Sequence, residues 1–135
     1  MNVSIRAAAW SAVAASLLTG CALPWQQQAP VGGGTTLTST LSSMAAYQRV
    51  VAGARACYPW PAYKIEPEYF KADTKTGAMK LFEMQDARKV EIVSFTIGTT
   101  QGGSTINLQT RMAMSGFPSA AAAWLNGEPY RCPAR

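Results

Sequence analysis

The chain is expected to fold as a small α+β domain: a four-stranded antiparallel meander sheet with an N-terminal helix and a short C-terminal helix packed on one face. Three observations predict it. Apolar residues recur at helical spacing around residues 41–51. Two-residue alternation then runs through four successive segments between residues 62 and 114. Turn residues part those segments by a few positions only, too few for the crossover that parallel strands need.

Leu41, Met44, Ala45, Gln48 and Val51 recur at helical spacing, with Val50 beside them. Thr38 or Ser39 is the expected N-cap, and Gly53 lies near the expected end. Tyr58-Pro59-Trp60-Pro61 fits neither a helix nor a central strand, because two prolines remove two backbone donors. Tyr63, Ile65, Pro67 and Tyr69 alternate with Lys64, Glu66 and Glu68, so Ala62–Lys71 reads as a strand, placed at an edge by Pro67. Asp73-Thr74-Lys75-Thr76-Gly77 reads as a turn.

Ala78–Asp86 is expected to be the second strand, with Lys80, Phe82 and Met84 opposite Met79, Leu81 and Glu83. Ala87–Thr99 is the third, and its adjacent Ile92 and Val93 break the alternation, which implies a bulge or burial on both faces. Gly102-Gly103 reads as a hairpin turn. Thr105–Met114 is the fourth strand, with Ile106, Leu108, Thr110, Met112 and Met114 on one face. Pro118 opens a short helix, Ser119–Leu125, which Asn126-Gly127 closes.

The chain has 135 residues, so it holds one domain at most. From residue 39 to residue 132, Leu, Ile, Val and Phe number 16 of 94. That is a lean aliphatic supply for a core. Five Met, five Tyr and two Trp in the same span make up the volume. Lys and Arg exceed Asp and Glu by 12 to 7, and histidine is absent. Without histidine there is no Ser-His-Asp triad, no histidine-ligated zinc and no imidazole to activate a cysteine.

The first 20 residues read as an export signal. Arg6 supplies the basic start, and Ala7–Leu18 is an uncharged, mostly apolar run. Leu18-Thr19-Gly20-Cys21 follows. This box resembles the lipobox of bacterial lipoproteins. The resemblance implies cleavage before Cys21 and acylation of its thiol and new amino group. Overall plan also resembles that of small proteobacterial outer-membrane lipoproteins. Ala22 stands where those proteins carry Asp when they are retained at the inner membrane. By that analogy the expected location is the outer membrane, periplasmic face, with the bilayer as partner through the lipid. Two other readings of this segment compete. Gly20-x-Ala22 is also a small-x-small site for ordinary signal peptidase, which would release a soluble protein. The other is that Ala7–Leu23 stays as a span, but it is 17 residues against the roughly 20 a bilayer crossing needs.

Residues 21–38 are expected to form a lipidated flexible tether: no charge, two prolines, three glutamines and three consecutive glycines. Residues 39–135 form the domain. With Cys21 assigned to lipid, Cys57 and Cys132 form an even pair in an exported chain and read as a disulfide. The alternative is two buried thiols.

The candidate binding residues are Tyr58 and Trp60, aromatics held between prolines, and Lys71, Lys75 and Lys80 of a basic hairpin that also draws on Lys64, Arg88 and Lys89. Tyr58-Pro59-Trp60-Pro61 also has a plain reading as apolar cover over Cys57. Glu66 and Glu68 share a strand face but alternate with Tyr and Ile, which marks a solvated face rather than an acid–base pair. Met112-x-Met114 with Met79 and Met84 suggests a soft-metal alternative, a copper or small-ligand carrier. The same residues serve equally as core filler. The expected function is therefore non-enzymatic: binding or assembly in the cell envelope, with no cofactor, no metal and no nucleic-acid partner. The alternative is a secreted or surface-displayed factor that binds polysaccharide or host through the basic hairpin.

Overall fold

The computed structural model describes residues 32–128 and 131–133. The element order is β1 (Gly32–Ser39), α1 (Ser43–Cys57), β2 (Tyr63–Lys71), β3 (Thr76–Gln85), β4 (Arg88–Thr100), β5 (Gly103–Thr110), a 3-10 turn at Met112–Met114 and α2 (Phe117–Leu125). All strand pairs are antiparallel, and the sheet order is β1-β5-β4-β3-β2.

The α+β class, the antiparallel sheet and both helices are as expected. The sheet has five strands, not four. The added strand is β1, which occupies residues assigned to the tether. It pairs with β5, Thr35 opposite Leu108 and Leu37 opposite Ile106. The domain therefore begins by residue 32, and residues 1–31 lie outside the described part. β2 to β5 form the expected meander.

Of the sheet's three register shifts, one lies in β1 between Gly32 and Gly34, and the other two follow from the sequence. Leu81 faces Val93 and Phe82 faces Glu91, so Ile92 is the extra residue of a bulge in β4. The bulge lets Ile92 and Val93 both be buried. In β2 the register shifts between Ile65 and Glu68, and the strand holding Pro67 is an edge strand. A proline there costs no ladder bond to a further strand.

Helix α1 starts later than expected. Its N-cap is Ser42, whose hydroxyl accepts the Ala45 N–H at 3.3 Å. Ser39 belongs to β1 instead. The buried stripe is Ala46, Tyr47, Val50, Val51, Ala54 and Cys57, so the helix is rotated from the face first read. Met44 is 40% exposed, and Gln48 is exposed too. Gly53 lies inside the helix rather than beyond it.

Helix α2 begins at Phe117 with a proline in its first turn. Arg49 of α1 donates to the Leu125 carbonyl at 2.7 Å and so caps the end of α2. β5 ends at Thr110, short of the expected Met114. Arg111 N–H still donates to the Ile92 carbonyl at 3.0 Å, and the chain then turns through Met112–Met114.

The core lies between the helices and one face of the sheet. Met79, Leu81, Val93, Phe95, Ile97, Ile106 and Leu108 meet Ala46, Tyr47 and Val50 of α1 and Phe117, Ala121 and Trp124 of α2. Aromatic rings supply what the scarce aliphatics do not. Phe117 and Trp124 meet edge to face at 5.5 Å, and Tyr47 meets Phe95 at 5.9 Å. Cys57, the last residue of α1, is bonded to Cys132, 75 residues on. Among the described residues no helix is long and apolar enough to cross a membrane.

Candidate functional site: the Tyr58–Ala62 corner and its cleft

The turn from α1 into β2 is tied down at each step. Cys57 carries the disulfide. Tyr58 N–H donates to the Ala54 carbonyl at 2.9 Å and closes the helix. Tyr63 N–H donates to the Pro59 carbonyl at 3.2 Å, and Met84 N–H donates to the Ala62 carbonyl at 2.8 Å. The corner thus spans a disulfide at one end and a strand ladder at the other. Prolines at 59 and 61 remove further backbone freedom in between.

The two aromatics of the corner part company. Tyr58 is 5% exposed and stacks edge-on against Tyr63 at 5.0 Å, with Phe117 at 6.0 Å behind it. It is core, in one buried cluster with Cys57. Trp60 is 68% exposed, the largest exposure of any big apolar side chain among the described residues. Beside it opens a cleft of about 410 Å³ lined by Arg55, Tyr58, Trp60, Tyr63, Lys64 and neighbouring Pro59 and Ile65. A second hollow of about 290 Å³, also lined by Tyr58 and Tyr63, reaches Glu83, Ile92, Met114 and Pro133. The tyrosine pair lines both.

The basic residues disperse. Lys80 is bound to Glu91 at 2.8 Å. Lys64 and Lys89 both pair with Glu66, Lys89 at 2.7 Å. Those two hydrogen bonds, that of Lys64 first, hold the Glu66 carboxyl below its ordinary 4.5. Lys89 also lies over the Phe82 ring at 5.3 Å. Three of the six residues of the expected basic cluster are therefore paired on the sheet surface, with two carboxylates between them. Lys71 and Lys75 sit at the β2–β3 turn, both exposed, with the Lys71 ammonium 5.7 Å from the Tyr69 ring. Lys71, Lys75 and Lys80 do not converge with Tyr58 and Trp60 on one cavity.

The sheet's uncovered face carries a shallow hollow of about 380 Å³ with Tyr69, Lys80, Ser94, Thr96, Asn107 and Gln109 along it. Tyr69 is 43% exposed there. Alternation groups Tyr69 with Tyr63 and Ile65 on the apolar face, but the register shift between Ile65 and Glu68 sets it opposite Ala78 and turns it outward. The methionine reading also changes. Met79 is fully buried against the helices, and Met112 and Met114 stand in a 3-10 turn rather than along one strand face. Among the described residues no three His, Cys, Asp or Glu side chains converge as metal ligands do. Cys21 lies outside the described residues.

Comparison with family models, curated proteins and solved structures finds no match. The reading below therefore rests on the residues alone.

Proposed function

We propose that the chain is a lipid-anchored protein of the bacterial cell envelope whose domain works by binding or assembly rather than by catalysis. One observation carries the reading. Of three cysteines, Cys57 and Cys132 are joined to each other. The thiol left over is Cys21, at the end of Leu18-Thr19-Gly20-Cys21. A disulfide suits an oxidising compartment outside the cytosol. A remaining cysteine at lipobox depth suits acylation, and two or three chains at about 0.8 kcal/mol per buried methylene hold a domain at a bilayer where one chain does not. The outer membrane is the location within this proposal, by the residue that follows the cysteine.

Metabolic labelling with palmitate tests it. Wild type incorporates label and sediments with membranes; Cys21→Ala does neither. An unlabelled wild type whose mature chain starts at another residue overturns the proposal. The exposed Lys71 and Lys75 at the β2–β3 turn favour one alternative, display on the cell surface toward an acidic partner. Removal of the domain from intact cells by added protease would support that alternative, and survival would support the periplasmic face.

A further inference from the structure

We propose that the outer edge of β1 is an assembly surface on which a second copy of this chain pairs its own β1, antiparallel, joining two five-stranded sheets into one. The proposal gives the assembly role above a partner. It rests on that reading only for the membrane at which the copies meet, not for whether the edges pair.

A border strand presents backbone donors and acceptors that a further strand can take up, and most proteins blunt such borders. The two borders here differ. β2 carries Pro67, a register shift between Ile65 and Glu68, and the charges of Lys64, Glu66 and Lys71. β1 has none of these devices from residue 34 to residue 39: no proline, no charge, and unbroken pairing to β5. Among the described residues no strand occupies its outer side. The stretch leading into β1 is a poor occupant, because Pro24 and Pro30 lack the N–H that a ladder needs.

Charge selects the second copy. Lys and Arg exceed Asp and Glu by 12 to 7, so two copies repel overall and approach best where charge is missing. The charges are not spread evenly. Residues 32–48, residues 92–110 and α2 hold no Asp, Glu, Lys or Arg. These are β1, the whole of β5, most of β4 and the helix that touches β1, one uncharged flank. Arg111 is the nearest charge along the ladder, one residue past Thr110, which faces Gly32. Parallel pairing would set the two copies of Arg111 side by side. Antiparallel pairing sends them to opposite ends of the joint.

Side chains choose the register. Thr35, Leu37 and Ser39 are half-buried, and Thr36 and Thr38 are exposed. Leu37 packs against the core from its margin. Pairing centred on Leu37 brings the two leucines together on the helix side, so that each covers the other, and sets Thr36 opposite Thr38 on the open face. Residues 35–39 alone make a small contact, so the association is weak and reversible.

The test is sedimentation equilibrium of the full chain in mild detergent matched to the solvent density, from about 10 to about 500 µM. Expected is a reversible monomer–dimer equilibrium. Thr36→Lys with Thr38→Lys, and separately Thr36→Glu with Thr38→Glu, weaken it about ten-fold or more by setting like charges opposite each other. Both threonines are exposed, so both variants are expected to keep the wild-type melt. An equimolar mixture of the Lys and Glu variants restores dimers. Should the charged variants melt early, Thr36→Cys mixed with Thr38→Cys replaces them, and oxidation cross-links that mixture well above an oxidised wild-type control. A monomer throughout the range overturns the proposal. So does a dimer indifferent to both charged variants, a mixture of stably folded Lys and Glu variants that stays monomeric, or a cysteine mixture no better linked than wild type. A chain that stays monomeric until residues 22–31 are deleted assigns the edge to that segment and overturns it too. Each result is read on purified protein, so dimers that persist without palmitate label, or label without dimers, separate this pairing from the anchor.

Discussion

Gly53 of α1 lies against the indole of Trp124 so closely that a β-carbon at residue 53 would stand 2.2 Å from Cδ2. Glycine in a helix interior normally costs about 0.5–1 kcal/mol relative to alanine. Here the missing side chain is the condition for the two helices to meet. Gly53→Ala is therefore expected to reverse the usual sign and destabilise the domain by about 1–3 kcal/mol. In a domain of this size that lowers Tm by several degrees, roughly 4–8 °C per kcal/mol. A thermal melt that shows no loss, or a gain, would mean the helices do not pack at this point.

The Cys57–Cys132 bond closes a separation of 75 residues and holds the C-terminal tail beside the end of α1. Trp124 reinforces it by donating its indole N–H to the Arg131 carbonyl at 2.9 Å. Loop-closure entropy gives roughly 4–5 kcal/mol for such a bridge, and native bridges in small exported domains are worth about 2–5 kcal/mol. Cys57→Ser with Cys132→Ser, or reduction of the wild type, should lower the unfolding free energy from urea denaturation by an amount in that range, with the midpoint falling accordingly. Equal midpoints with and without reductant would count against the bond as a source of stability.

The two-residue turn between β3 and β4 holds Asp86 at φ 46° and Ala87 at φ 65°. That is the backbone of a type I′ hairpin, for which glycine and asparagine are the natural occupants. Alanine pays about 1–2 kcal/mol in this region, and glycine does not. Ala87→Gly should therefore stabilise the domain by up to about 1 kcal/mol after the greater chain entropy of glycine is subtracted. Chemical denaturation of the two proteins side by side measures it. A destabilised variant would place this turn in another conformation.

Glu66 gives the domain a pH signature on its acid side. Hydrogen bonds from Lys64 and Lys89 lower its folded pKa below 4.5, so folding favours its ionised form. The contribution is present above the ordinary carboxylate range and is lost as pH falls through the lowered folded value. The group is open to solvent, so the effect is modest and weakens in salt. Glu66→Gln should be slightly less stable than wild type at pH 7, and the gap should close as pH falls through the lowered folded value. Melting curves from pH 2 to 7 at low salt provide the comparison. A gap that persists at pH 2 would assign the effect to packing.

Much of the fold was legible in local pattern, and the misses share a cause. Strands β2 to β5 show themselves through alternation, and the Ile92-Val93 pair located its own bulge. Strand β1 did not, because Gly32-Gly33-Gly34 and the threonines after them carry the composition of a spacer. What makes them a strand is β5, about 70 residues away, whose Leu108 and Ile106 need a neighbour. A non-local partner leaves no periodic trace at the near end.

The same holds for α1. Its true stripe is centred on Ala46, Val50 and Ala54, and alanine weighs too little in a hydropathy pattern to outvote Met44. At the site, the proline-flanked aromatics were visible as a pair. Only packing could separate them into a buried Tyr58 and an exposed Trp60. The lysines were visible as a cluster, but which of them Glu66 and Glu91 would claim depended on strand register.

Strand order also sets the start of the described chain apart from the Trp60 corner. The described chain enters at β1, one border of the sheet, and the Trp60 corner opens next to β2, the opposite border. Four inter-strand steps of about 4.8 Å put roughly 19 Å between those borders. Under the lipid anchor proposed above, the leash would leave from one flank and the Trp60 corner would face outward on the other.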